Sequence, residues 1–305
     1  MVHDIRLGMC NTLNPVLLRA SSLRARWHAY CISFETAYSR GFMNHPSADD
    51  TQIQATLSRI KKRYIILSGK GGVGKSTVAV NLALSLAGRG LRTGLLDTDL
   101  HGPSIPIMLG LVGYVGTAEK EKFLPAVLKD GKLKIMSMQF FLQGRDDSVI
   151  WRGPLKHGVI SQFIACTLWG DLDYLIIDSP PGTGDEPLSA VQIAKPHGAI
   201  IVTTPQAVAT LDVRKSIDFC RKLALPITGI IENMSGFVCP HCGGRTDIFS
   251  SHGGEDMALE LGEHFLGRIP LDANIVPLAD NGKTAVDAMP DSIAAKSFSA
   301  IAELL

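Results

Sequence analysis

One nine-residue stretch constrains this chain more than any other. Gly69-Lys70-Gly71-Gly72-Val73-Gly74-Lys75-Ser76-Thr77 fits the pattern G-x-x-x-x-G-K-[ST]. Before it runs Tyr64-Ile65-Ile66-Leu67-Ser68, a short apolar segment that reads as a buried strand. After it Thr77 to Ala87 is apolar nearly all round and reads as a buried helix. A glycine-rich turn between strand and helix lets backbone N–H groups converge on phosphate oxygens, with the helix N-terminus adding a favourable dipole. The expected ligand is ATP, held over Gly69–Thr77. Lys75 is expected at the β- and γ-phosphates and the Ser76 hydroxyl on Mg²⁺.

The rest of the chain has the rhythm that such a loop requires. Strand-like runs recur at Thr93–Leu96, Lys134–Met138, Tyr174–Ile177, Ala199–Thr203, Ile227–Ile231 and Phe265–Ile269. Helical stretches such as Leu155–Leu168 and Ala207–Leu223 lie between them. This alternation predicts an α/β, three-layer P-loop fold with a mostly parallel sheet and helices on both faces. Residues 111–133 break the rhythm and read as an inserted loop or hairpin. The ATPase domain is expected over 61–305, with 1–60 as an N-terminal extension whose residues 44–60 form a polar lead-in or short helix.

Residues 1–42 hold five Arg, no Lys and only two acidic residues, Asp4 and Glu35. Three readings stay open: a disordered extension, a start taken too early with Met43 as the true start, or a mitochondrial presequence. The expected location is cytoplasmic, or the mitochondrial matrix if a presequence is present. The net charge of +1, from 30 basic and 29 acidic side chains, offers no overall field for nucleic acid or an anionic membrane. No run of 18 apolar residues occurs, so neither membrane nor nucleic acid is an expected partner.

Three aspartates end strands. Asp97 and Asp99 close Leu95-Leu96-Asp97-Thr98-Asp99, and Asp178 closes Tyr174-Leu175-Ile176-Ile177-Asp178. The C-terminal edge of a parallel sheet is where ligands sit. Asp99 is the candidate to orient the attacking water, Asp97 to support Mg²⁺ or its waters, and Asp178 to hold Mg²⁺ through water. The glycines of Ser179-Pro180-Pro181-Gly182-Thr183-Gly184-Asp185 could bring backbone N–H groups, Gly182 among them, to a γ-phosphate. An aspartate after a strand can instead cap the next helix.

Six cysteines are too sparse for a disulfide scaffold, and only Cys239 and Cys242 are close in sequence. Cys239-Pro240-His241-Cys242-Gly243-Gly244 lets two thiolates bind one metal, with glycines for the tight turn. Alone it is equally a redox pair, half of a zinc site, or two idle thiols. Two copies meeting at a two-fold axis would supply Cys₄, which suits Zn²⁺ or a [4Fe–4S] cluster. Cys166 and Cys220 read as buried structural thiols.

Lys70 extends the phosphate motif. K-G-G-x-G-K-[ST] resembles the variant Walker A of the MinD, ParA and nitrogenase iron-protein group. That resemblance implies that Lys70 reaches a dimer partner's nucleotide. Together with Asp99-Leu100-His101-Gly102-Pro103-Ser104-Ile105-Pro106 and the Asp178–Asp185 segment, the motifs resemble the Mrp/ApbC family of ATP-dependent iron–sulfur cluster carriers from about Lys62 to about Asn281. The resemblance implies a homodimer, a [4Fe–4S] cluster bridged by Cys239 and Cys242 of both subunits, apo-protein clients and a cluster donor. It also implies Asn233, in Glu232-Asn233-Met234-Ser235, as an adenine ligand. Pro270, in Arg268-Ile269-Pro270-Leu271-Asp272, falls in a second base-side loop. Slow ATP hydrolysis coupled to transfer follows, catalysed by Lys70, Lys75, Asp97, Asp99 and Asp178. The four-cysteine N-terminal cluster of some eukaryotic relatives is missing. A MinD- or ParA-like positioning ATPase and a zinc-stapled dimeric ATPase are the rival readings.

Overall fold

The computed structural model describes residues 49–305 apart from 100–101, 103, 115–117, 120–121, 142–152 and 240. Residues 1–42, with Cys10 and Cys31, lie outside the described residues. The chain begins with α1 (Asp50–Leu57), β1 (Ile60–Leu67), α2 (Lys75–Gly88), β2 (Thr93–Asp97) and α3 (Ile105–Met108). A small hairpin follows, β3 (Ala118–Glu119) with β4 (Lys122–Phe123), and then β5 (Ala126–Leu128) and β6 (Leu133–Ser137). Next come α4 (Gly153–Cys166), β7 (Leu172–Asp178), α5 (Asp185–Ala194), β8 (Gly198–Thr203), α6 (Ala207–Lys222) and β9 (Ile227–Glu232). A second hairpin pairs β10 (Phe237–Val238) with β11 (Arg245–Thr246). The chain closes with α7 (Gly253–Leu261), β12 (Phe265–Arg268), α8 (Ile275–Asp280), α9 (Ala285–Ala288) and α10 (Ile293–Glu303).

Eight strands form one sheet in the order β12-β9-β8-β1-β7-β2-β6-β5. Every neighbouring pair is parallel except β5 with β6. The α/β three-layer expectation is met, and the break in rhythm at 111–133 is the β3–β4 hairpin followed by the antiparallel edge strand β5. All six residues of β8 and all five of β2 are buried, as a sheet covered on both faces requires. From β1 the chain runs one way to β2, and from β8 it runs the other way to β9 and β12. This reversal opens a crevice at the C-terminal ends of the central strands.

Helix α2 explains why the phosphate loop is so firmly seated. Val78 through Ala87 are all buried, because the helix lies between the sheet and α10. From α10, Ala294, Ala295, Phe298, Ile301 and Ala302 complete that layer. Asn81, one of two polar residues in that buried run, donates from its amide to Thr77 O at 2.8 Å and accepts the Val286 amide at 3.3 Å. The lead-in carries α1, where the Asp49 carboxylate accepts the Thr51 amide and Ile53 and Leu57 are buried. That helix packs on α4 within the same compact unit as the residues that follow. Among the described residues no helix is long and apolar enough to cross a membrane.

Phe298 has no exposed surface, so Phe298→Ala should cost about 3–5 kcal/mol in urea unfolding. A loss under about 1 kcal/mol would show that α10 does not hold α2 in place.

Candidate functional site: a nucleotide cleft and a cysteine hairpin

The loop between β1 and α2 has little freedom. Gly74 has φ of 80°, in the left-handed region, and a Cβ there would lie 2.3 Å from Asn233 Nδ2. Gly69 is needed for a different reason: its Cβ would lie 2.2 Å from the Asp212 carbonyl oxygen of α6. Both glycines therefore let backbone approach where any side chain would collide. Helix α2 starts at Lys75, so its first amides face the loop. The loop borders a cleft of about 350 Å³ lined by Ser68, Lys70 to Thr77, Asp99, Ser104 and Pro181. Ile275, Val276 and Ala279 of α8 give it an apolar wall.

The carboxylates gather because β2 and β7 are neighbours, with Asp97 and Asp178 in register. Lys75 Nζ lies 2.6 Å from Asp178 Oδ1, the lysine 6% and the aspartate 1% exposed. Ser76 also hydrogen-bonds Asp178. Burial pushes Asp178 up from the ordinary carboxylate value, and the Lys75 ammonium opposes that. Asp97 is completely enclosed. Its Oδ2 accepts the Ser137 hydroxyl at 2.9 Å and its Oδ1 accepts the Asp99 amide at 3.1 Å. Burial, and then the neighbouring Asp178, raise Asp97 well above the usual carboxylate range. Asp99 is only half-buried, and of the two β2-end aspartates it is the one that lines the cleft. Its Oδ1 accepts the Gly102 amide at 3.1 Å.

The segment after Asp178 is tied back to the phosphate loop. Ser179 Oγ donates to Ile66 O at 2.8 Å, and the Gly182 amide donates to Ser68 O at 2.9 Å. Gly182 thus sits beside the loop with its N–H already engaged. Lys70 lines the cleft and its ammonium lies 3.4 Å from Gln206 Oε1. Asn233 is buried, with its side-chain amide donating to Val73 O at 2.8 Å. Pro270 lines a neighbouring groove with Phe237, Val238 and Leu271.

The cysteine pair occupies the tip of the β10–β11 hairpin. Cys239 N donates to Gly244 O and Gly243 N to Cys239 O, each at 2.9 Å. The amides of Cys242 and His241 also aim at the Cys239 sulfur and hold its thiol below the usual range. Cys239 is half-buried and Cys242 exposed. Two thiols held together at one hairpin tip form an arrangement suited to a metal or cluster bound through sulfur. Among the described residues no third His, Cys, Asp or Glu joins the pair. Cys220 is buried and its thiol is pushed up to about 12, mainly by burial, which makes it inert. Cys166 is half-buried.

Sequence reasoning missed three residues that shape this site. Ser137 steadies Asp97, Gln206 receives Lys70, and the fully buried Glu232 anchors the strand that leads to the hairpin. Ser137 left a weak signal, a polar residue at the buried end of β6, and Glu232 was visible only within the Glu232–Ser235 segment.

The fold and the cleft define a P-loop nucleoside triphosphatase whose phosphate loop carries an additional lysine. Residues 59–305 match the NUBPL iron-transfer P-loop NTPase family of the ParA group, and the chain belongs to that family. It is 47% identical over 256 residues to the cytosolic Fe-S cluster assembly factor NUBP2 homolog of Monosiga brevicollis, covering 83% of this chain and 89% of that one. It is 53% identical over 234 residues to the iron-sulfur cluster carrier protein of Methanocaldococcus jannaschii, covering 76% and 80%. The solved nucleotide-binding protein of Archaeoglobus fulgidus, in complex with ADP, superposes with a TM-score of 0.69 at 40% identity, covering 77% of this chain and 91% of that one.

Because the folded-state pKa of Asp97 lies above its unfolded value, the native state binds the extra proton between the two. Stability therefore falls as pH rises through that window. Asp97→Asn should raise the urea midpoint of the nucleotide-free protein at pH 7.5. The gain should vanish near pH 4, about the unfolded value, where both states are protonated. A gain independent of pH would contradict a proton held on Asp97.

Proposed function

We propose that this chain is an ATP-dependent iron–sulfur cluster carrier, working as a homodimer that holds a [4Fe–4S] cluster between subunits and delivers it to apo-proteins. The observation that carries this reading is a half-site built beside a complete nucleotide cleft. Two thiols are held in a tight turn, and among the described residues no third ligand is near. A second copy presenting the same turn completes Cys₄. The names of the Monosiga and Methanocaldococcus relatives support the cargo and, for the former, a cytosolic location.

The proposed division of labour within the cleft follows position. The loop amides and Lys75 take the phosphates. Ser76 and Asp178, hard oxygen donors that already touch, are suited to hold Mg²⁺, which neutralises charge on the β- and γ-oxygens. Lys75 then trades Asp178 for phosphate, so the buried ion pair serves as a resting arrangement. Asp99, facing the cleft, orients the attacking water, while Asp97 stays inside and fixes the Asp99 backbone. Asn233 and Pro270 lie toward the base. Lys70 leaves Gln206 to reach the partner's nucleotide, and Gly182 leaves Ser68 to meet the γ-phosphate. Hydrolysis is slow until a client or donor engages, as in other P-loop switches lacking their activating partner.

Anaerobic reconstitution should give about four iron and four sulfide per dimer. Cys239→Ser and Cys242→Ser should each lose both. Zinc alone, or iron retained in the variants, would sink the cargo assignment.

A further inference from the structure

Only five residues, Met234-Ser235-Gly236-Phe237-Val238, separate Asn233, whose side chain holds the phosphate loop, from Cys239. A loop of that length can be slack, but this one is pinned at almost every step. Asn233 N donates to Thr203 O at 2.8 Å, and its side-chain amide meets Val73 O inside the phosphate loop at 2.8 Å. The approach is so close that Gly74 must lack a side chain. Met234 holds φ of 57°, in the left-handed region, with its Cε against the same glycine. Ser235 N donates to Ile269 O at 2.9 Å, and Gly236 O accepts Leu271 N at 2.8 Å. Phe237 then bridges to Leu271 and pairs with Thr246 across the cysteine hairpin.

The upstream end is fixed by Glu232. This carboxylate is fully buried, and three donors reach it. Ser235 Oγ lies at 2.5 Å, Gly254 N at the start of α7 at 2.6 Å, and Arg268 Nε at 3.4 Å. An enclosed charge with donors in place makes a rigid anchor, because any displacement leaves it unpaired.

We propose that residues 233–238 are a taut link that transmits occupancy of the phosphate loop to the cysteine pair, with Asn233 as the positioning residue. When nucleotide fills the cleft, the loop around Val73 and Gly74 adjusts and the Asn233 amide is drawn from Val73 O toward the base. With Glu232 fixed behind it and no slack ahead, the chain passes that shift to Phe237 and so to the hairpin holding Cys239 and Cys242. The link lies within one subunit and needs no contact through Lys70. It rests on the reading of the cleft as an ATP site, and adds the route by which that site reaches the cargo. By linkage, cargo should alter nucleotide affinity by the same factor.

The test uses the full chain without cluster. Iodoacetamide alkylation of Cys239 and Cys242 is followed by mass spectrometry, with and without saturating AMP-PNP. In the wild type, nucleotide should change the alkylation rate by about five-fold or more. Asn233→Ala, at AMP-PNP concentrations shown to saturate it, should respond by less than about two-fold. Ser235→Ala removes one donor from Glu232 and touches neither ligand. It should bind AMP-PNP like the wild type while its cysteine response falls to between those of the other two proteins. Wild-type cysteines indifferent to bound AMP-PNP, or both variants keeping the full response, would overturn the link. Iron and sulfide loading is measured apart from this. A chain that loads cluster but shows no nucleotide response defeats the link alone, whereas one that responds but never loads defeats the carrier reading.

Discussion

The buried contact between Lys75 and Asp178 is the interaction around which the rest of the site is arranged. A lysine 6% exposed and an aspartate 1% exposed are tolerated only as a pair. Removing one partner of such a pair typically costs about 3–5 kcal/mol. The pair joins the first residue of α2 to the last of β7, and so ties the phosphate loop to the central sheet. It also governs Asp97, which is in register with Asp178 on the adjacent strand. Two enclosed carboxylates share one lysine, so one of them is driven toward its neutral form, and Asp97 is the one without the cation. In the proposed mechanism ATP supplies the negative charge that replaces Asp178 as the lysine's partner, which leaves Asp178 for Mg²⁺. The same side chains then serve the bound state in a different pairing.

The cysteine pair follows the opposite logic. Its two thiols sit at a hairpin tip, one half-buried and one exposed, with backbone amides holding the inner thiol below the usual range and, among the described residues, no further ligand at hand. A closed Cys₄ site within one chain would bind tightly and release slowly. In the proposed homodimer, splitting the ligand set between two copies makes retention depend on how the copies meet, which gives nucleotide a way to act on it. The same segment of backbone that leaves β9 touches the phosphate loop and then enters the hairpin, so the two sites are close along the chain and joined by the link proposed above.

Much of this could be read from residue order. The glycine and lysine spacing at 69–77, the apolar runs and the aspartates at strand ends are local signals, each with a direct steric or electrostatic cause. They located the loop and most strands of the sheet to within a residue or two, although β1 begins four residues before the apolar run that announced it. The roles of Asp97 and Asp99 depend on three-dimensional enclosure, which two neighbouring aspartates in a sequence do not reveal. Ser137, Gln206 and Glu232 act across 40, 136 and 22 positions, on Asp97, Lys70 and the Gly254 amide. No pattern of period 2 or 3.6 encodes such long-range hydrogen bonds. The path from 233 to 238 was visible only as a motif segment running on to the cysteine pair; its pinning comes from contacts with residues far off in sequence.

The central claim is that nucleotide and cluster are coupled on one protein. Calorimetric titration of AMP-PNP into cluster-loaded and cluster-free protein, under the same anaerobic conditions, tests it most directly. Coupling predicts dissociation constants that differ by about five-fold or more, matched by an equal effect of AMP-PNP on cluster affinity. Equal dissociation constants for the two forms would mean that the cleft and the cysteine pair are independent sites that happen to share a chain.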